Sequence, residues 1–174
     1  MSEPSIYDIN APRLIRLGLC PLPIGPGTKI PHHWVPSLGR YEKTCGWDDP
    51  RRPLETAPQP HAGIGVRLGR QVDGTYLVAL DWDNEDAAIA AMDVFPPTVT
   101  KEGARGFTAF YRSTVAVTSR DFRIGGRVVV QVLSDGRQTV LPPTVHPDTG
   151  RPYVWTSKYS LYDLPLTELP GLPQ

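Results

Sequence analysis

The chain has 174 residues, enough to bury one sizeable core, and length alone argues for a single domain. Its 18 Lys and Arg balance 18 Asp and Glu, which excludes a global positive field of the kind that announces nucleic-acid binding. No apolar run reaches the roughly 18 residues of a membrane span, the two cysteines form no CxxC, and the opening MSEPSIYDINAPR lacks the basic and apolar regions of a secretion signal, so the expectation is a reduced, cytoplasmic protein with no membrane partner.

Charge is nevertheless unevenly placed. Ala79 to Thr100 carries five acids and no base, whereas Lys101 to Lys158 carries nine Lys or Arg against four acids. An acidic cluster beside a basic half suits a divalent metal held next to a polyanion.

In chain order, Asn10-Ala-Pro-Arg predicts a helix start, with Asn10 as cap, Pro12 in the first turn and Gly18 ending about two turns. Leu19 to Ile24 reads as a short buried strand, and GPGTKIPHHW as a loop presenting Lys29. Pro36 to Pro60 is polar and Pro-rich and reads as a long loop, with a helical turn around Tyr41 to Thr44. Cys20, His32, His33 and Cys45 fit no compact zinc spacing and read as two buried thiols and two loop imidazoles. His61 to Gly69 returns to strand and turn chemistry.

YLVALDWDN follows, where five residues of strand character lead into two aspartates, and alternation puts Asp81 and Asp83 on one face and Trp82 on the other. Asn84 then caps a helix through EDAAIAAMDV, which Pro96-Pro97 stops. The rest reads as strands at Gly106 to Arg112, Arg127 to Leu133, Arg137 to Leu141 and Pro152 to Trp155, with Ser134-Asp-Gly136 as a hairpin turn. The expected fold class is α+β, a mostly antiparallel sheet core with a few flanking helices. Residues 1–160 form the expected domain, and the Pro-rich 161–174 an extended tail or a linker to a further region.

Three constellations carry chemistry. Asp81 and Asp83 are either solvated carboxylates leading into the next helix or an Asp-x-Asp pair for Mg2+ or Mn2+, ions that take oxygen ligands and keep water or substrate phosphate in their other positions. His146, delivered between prolines after Pro142-Pro143, either contacts a triphosphate or relays a proton, or is a surface-loop histidine. Lys101-Glu-Gly-Ala-Arg-Gly-Phe-Thr108, continuing to Arg112, sets basic side chains beside glycines, an arrangement suited to phosphate and also to an ordinary charged hairpin.

The ordered set LCPLPIGPGTKIP, GIGVRLG, LVALDWD, the glycine-basic strand and VVVQVLSDGRQTVLPPTVHPDTGRPYVW resembles the N-terminal domain of bifunctional DNA primase/polymerases, the prim-pol domain of the archaeo-eukaryotic primase superfamily, typical of plasmid, phage and prophage replication proteins. The resemblance runs from about Leu14 to Trp155. It implies an RRM-type catalytic sheet and template-directed nucleotidyl transfer, with Asp81 and Asp83 as ligands of Mg2+ or Mn2+. It also implies nucleoside triphosphate and single-stranded DNA template as partners, and a helicase domain C-terminal to this segment. Lys29 falls in the family's Lys-x-Pro loop and His146 in its Pro-Pro-(Ser/Thr)-x-His segment; Arg105, Arg112 and Arg137 are further candidate nucleotide or DNA contacts. Two positions depart from the pattern. Thr108 stands where the family has a nucleotide-binding histidine, and Gln131 where it has a third carboxylate. Gln carries no charge and is a weaker ligand for Mg2+. Asp135, Asp148 or His146 would have to compensate, or the domain is a degenerate fold that binds single-stranded DNA through Arg105, Arg112, Arg120, Arg123 and Arg127. A metal-dependent phosphohydrolase using the same aspartates is a third reading.

Overall fold

A computed structural model of the chain describes residues 3–173. The first element is helix α1, Ile6–Arg16, five residues earlier than a cap at Asn10 would start it. Ser5 is the cap. Its hydroxyl accepts from the Asp8 N–H while the Asp8 carboxylate accepts from the Ser5 N–H, a capping box with Asp in place of the usual Glu or Gln. Pro12 is thereby moved into the helix interior, and Asn10 turns its amide back to the Ile6 carbonyl. The helix ends as expected at Gly18. The N–H of Gly18 reaches the Ile15 carbonyl and that of Leu19 reaches Leu14, both at 3.0 Å, which is the Schellman pattern.

Strand β1 (Pro21–Ile24) can hold two prolines because it is the edge of a three-stranded sheet, β1-β4-β11, formed with β4 (Gly63–Arg67) and β11 (Gln138–Leu141). The region expected to be a long loop contains a hairpin instead, β2 (His32–Val35) with β3 (Arg40–Lys43). Trp34 sits opposite Tyr41 with ring centroids 5.4 Å apart, and this cross-strand aromatic pair outweighs any helical tendency at Tyr41 to Thr44. Of the two cysteines only Cys20 is buried, against the Arg67 guanidinium; Cys45 is exposed, which corrects the reading of both as buried.

The larger sheet runs β12-β7-β8-β6-β10-β9, with short β5 (Gly69–Arg70) pairing the start of β6 (Tyr76–Trp82). Its other members are β7 (Val99–Glu102), β8 (Phe107–Ser113), β9 (Arg120–Ile124), β10 (Arg127–Leu133) and β12 (Val154–Trp155). Every strand pair is antiparallel, and with two α-helices the class is α+β, as the sequence implies. Helix α2 (Glu85–Met92) is capped by Asn84, whose side-chain oxygen accepts from the Ala87 N–H at 2.8 Å. One turn is placed correctly and misassigned in role. Ser134-Asp-Gly136 does not close a hairpin, because β10 lies in the larger sheet and β11 in the smaller; the turn passes the chain between them.

The two sheets share one core. Ile64, Val66 and Leu141 of the smaller sheet pack with Leu77, Ala79 and Phe110 of the larger, closed by Leu14 of α1. Residues 161–172, expected to be an extended tail, belong to the same core: Leu161, Leu166 and Leu169 are at most 2% exposed, and the Tyr162 hydroxyl donates to the Pro142 carbonyl at 2.6 Å. The prolines between these leucines obscure their apolar spacing. Leu161→Ala is expected to destabilise the protein by about 2–5 kcal/mol, as buried leucine truncations do, measured as a lower midpoint of guanidinium unfolding at unchanged slope.

Candidate functional site

Strand β6 turns Leu77, Ala79 and Asp81 to the face shared with the smaller sheet, and Val78, Leu80 and Trp82 to the opposite face, where Trp82 meets Phe95 and Phe107. The apolar half of the strand is therefore core, and its last core-facing position is a carboxylate. Residues opposite one another in antiparallel strands share a face. The register sets Thr108 of β8 beside Asp81, Lys101 of β7 beside Thr108, Gln131 of β10 on the other side of Asp81, and Asp121 of β9 beyond it. One polar row, Lys101-Thr108-Asp81-Gln131-Asp121, crosses five strands.

The row is hydrogen bonded at both ends. Lys101 Nζ donates to Thr108 Oγ1 at 3.0 Å, and Thr108 Oγ1 donates to Asp81 Oδ1 at 2.6 Å. Gln131 Nε2 donates to Asp121 Oδ1 at 2.8 Å, and Arg123 pairs with the same carboxylate at 2.9 Å. Those two donors hold the Asp121 carboxyl below its ordinary pKa. Asp83, just past the strand end, is exposed; its N–H donates to the Val129 carbonyl at 3.2 Å, and its carboxylate has no hydrogen-bond or ion-pair partner among the described residues. Burial and the neighbouring charges of Asp81 and Asp121 raise its pKa, and Arg105 opposes the rise. Arg105 is delivered by a loop that only glycine permits: Gly106 has φ of 56°, and a Cβ there would lie 1.6 Å from the Trp82 carbonyl oxygen.

A second group approaches from the smaller sheet. Thr144 accepts from the Ile64 N–H at 2.8 Å and so fixes the segment that carries His146 to β4. The His146 ring is 5% exposed, and its Nδ1 accepts from the Asp148 N–H at 3.2 Å. Its pKa is lowered by burial and by the nearby Lys29 and Lys101, with Asp148 pulling the other way. Lys29 Nζ pairs with Asp148 at 3.2 Å, and its backbone carbonyl accepts from Gln138 of β11. Tyr153 joins the two groups. Its ring lies 5.3 Å from that of His146 and 4.9 Å from Lys101 Nζ, over Gly103, where a Cβ would come within 2.6 Å of the ring.

Of the residues singled out in the sequence, Asp81, Thr108 and Gln131 are in the row, Asp83 and Arg105 flank it, and Lys29 and His146 stand on the loops beside it. Arg112 is not brought there. It lies four residues along β8 from Thr108, about 13 Å at strand rise, and binds the C-terminal segment through Nε to the Leu169 carbonyl. Arg137 is exposed on the turn between sheets, its charge felt by Asp121. Asp135 does not compensate for Gln131: its carboxylate accepts from the Arg70 N–H at 2.9 Å and anchors that turn. Asp148 serves Lys29. The carboxylate beside Gln131 is Asp121, which sequence reasoning missed.

Two neighbouring carboxylates, one of them raised first by desolvation and then by the charge of the other, suit a divalent cation that takes its remaining ligands from water and phosphate. Among the described residues no cluster of three or more His, Cys, Asp or Glu side chains converges on a common point. Lys101, 4% exposed, is pushed down to about 8, by burial first and by Lys29, against the attraction of Asp81. Between pH 8 and the ordinary lysine value the unfolded chain binds a proton that the native one does not, so stability rises with pH across that window. Relative to Lys101→Met, the wild type is expected to gain about 3 kcal/mol across it, read from urea unfolding at stepped pH.

No helix among the described residues is long and apolar enough to cross a membrane. Neither the curated proteins nor the solved structures yield a match to this chain. The family described as bifunctional DNA primase/polymerase, N-terminal, matches residues 11–172, from within α1 to the C-terminal segment that Arg112 holds. With that match covering nearly the whole chain, the protein belongs to the prim-pol family, whose chemistry is nucleotidyl transfer of the primase and polymerase type on nucleotide and DNA substrates.

Proposed function

We propose that the chain is a template-directed nucleotidyltransferase that makes or extends short primers in the replication of a plasmid, phage or prophage, with a helicase domain following it. The observation that carries this reading is the end of β6, where the core-facing side of an apolar strand finishes in Asp81, with Asp83 just past it and basic side chains on β7, beyond Thr108 of β8, and on the loops. Asp81 and Asp83 would hold Mg2+ or Mn2+, which when bound lowers the pKa of an attacking hydroxyl and stabilises the leaving pyrophosphate. Thr108 keeps Asp81 in its rotamer. Lys29 and His146 meet the triphosphate, and Arg105, exposed next to Asp83, meets the triphosphate or template. Arg137 lies at the outer end of the row, on the side where a template strand would run. Much of the rate then comes from positioning and charge neutralisation.

A second reading, a single-stranded DNA or nucleotide-binding module without transfer, is favoured by one observation: the row offers an amide at Gln131, with Asp121 one strand further out and tied to Arg123. Primer synthesis and extension on a single-stranded template, with Mg2+ and then Mn2+, separates the two. Template-dependent product is expected from the wild type and none from Asp81→Ala/Asp83→Ala of unchanged melting temperature. DNA binding that needs no divalent ion, with no incorporation by the wild type, would favour the binding module. In either case Gln131→Glu, which adds a charge next to Asp81, is expected to tighten divalent-ion binding, measured by titration calorimetry.

A further inference from the structure

Lys101 is the one lysine buried inside the row, and the fold leaves it short of partners. An ammonium has three N–H donors. The structure gives Nζ one hydrogen bond, to Thr108 Oγ1, and the face of the Tyr153 ring; no carboxylate oxygen of the described residues comes within ion-pair distance. Its nearest charged neighbours of influence are Asp81, across the Thr108 hydroxyl, and the like-charged Lys29. A buried cation without a direct counter-ion is costly, and a ligand anion bound beside it would relieve that cost. Two further donors face the same region. His146 packs against the same tyrosine ring, with centroids 5.3 Å apart, and Lys29 is paired only with Asp148, an exposed carboxylate that a stronger anion can displace. Lys29, Lys101 and His146 thus converge around Tyr153 and Asp148 from three separate elements, with their donors outnumbering the acceptors present.

We infer that Lys101, aligned by Thr108 and Tyr153, is a direct contact to the phosphates of the incoming nucleoside triphosphate, and that the Lys101–Thr108 pair supplies from two strands the charge that Thr108 alone lacks. This rests on the nucleotidyltransferase reading. The arrangement has a consequence for selectivity: the site recognises the polyphosphate and discriminates little among bases, since Lys29, Lys101 and His146 all present donors and the one carboxylate among them, Asp148, is engaged by Lys29.

The test measures binding by calorimetry in Ca2+, which holds the divalent site without turnover. The probes are ATP, its 2′-deoxy form, inorganic tripolyphosphate and the corresponding nucleosides. Lys101→Met is expected to weaken the triphosphates and tripolyphosphate about 10- to 100-fold, the loss typical of a charge-assisted contact, to leave nucleoside binding unchanged, and to melt no lower than the wild type at pH 7. Lys101→Gln serves if the methionine variant does not unfold cooperatively. Equal triphosphate affinity in variant and wild type overturns the inference while leaving the nucleotidyltransferase reading intact. Absence of triphosphate binding by the wild type overturns both. Equal weakening of nucleoside and triphosphate would assign Lys101 a packing role and overturn it as well.

Discussion

The site depends on one constraint, that side chains facing each other across an antiparallel sheet must emerge on the same side. Once β6 turns Leu77 and Ala79 into the shared core, Asp81 has no choice of face, and neither do Thr108, Lys101, Gln131 and Asp121, which the register sets abreast of it. The hydrophobic core therefore fixes the polar row. A slip of one residue between β6 and β8 would expose Phe110 and Ala79 at the same time as it dispersed the row, so the energy of the core, some kcal/mol per buried side chain, guards the register of the chemistry.

Charge burial is the complementary cost. A lysine at 4% exposure, a histidine at 5% and a pair of neighbouring carboxylates are each unfavourable in isolation. The fold tolerates them together because hydroxyls and aromatic faces separate the charges: Thr108 stands between Lys101 and Asp81, and Tyr153 between Lys101 and His146. The loops that bring in the second group are held by backbone contacts to the smaller sheet, at Ile64 and through Gln138. The row thus belongs to one sheet and its basic lid to the other, and the core common to both keeps them in range.

Legibility in the sequence followed the strength of local signals. β6, α2 and β10 were readable because a dense apolar run, an Asn cap and a VVVQV stretch each point one way. The start of α1 was misplaced because Asn10 and Pro12 imitate a helix start that the Ser5–Asp8 box has already made. β2 and β3 were hidden in polar, Pro-rich sequence, since their pairing rests on a single aromatic contact across the strands. The face of Asp81 was legible from alternation along β6. Asp121 was not, because β9 is exposed at every position and gives no burial pattern to read. Lys101 was visible as a base near glycines, but its burial depends also on Tyr153, which arrives from a distant part of the chain.

The position of Asp121 also depends on chain length rather than residue type. β9 and β10 leave their Gly125-Gly126 turn with Ile124 opposite Arg127, a register that would set Asp121 against Val130 and hence behind the sheet. A bulge between Val128 and Val130 adds one residue to β10, and from there on Phe122 faces Val130 and Asp121 faces Gln131. The extra residue acts as a parity switch. Removing it would exchange which of the Asp121–Arg123 and Phe122–Ile124 pairs fronts the active face, while leaving every side chain in the strand chemically the same. An insertion or deletion in this hairpin therefore changes which face Asp121 fronts, whereas a substitution changes only what that position carries.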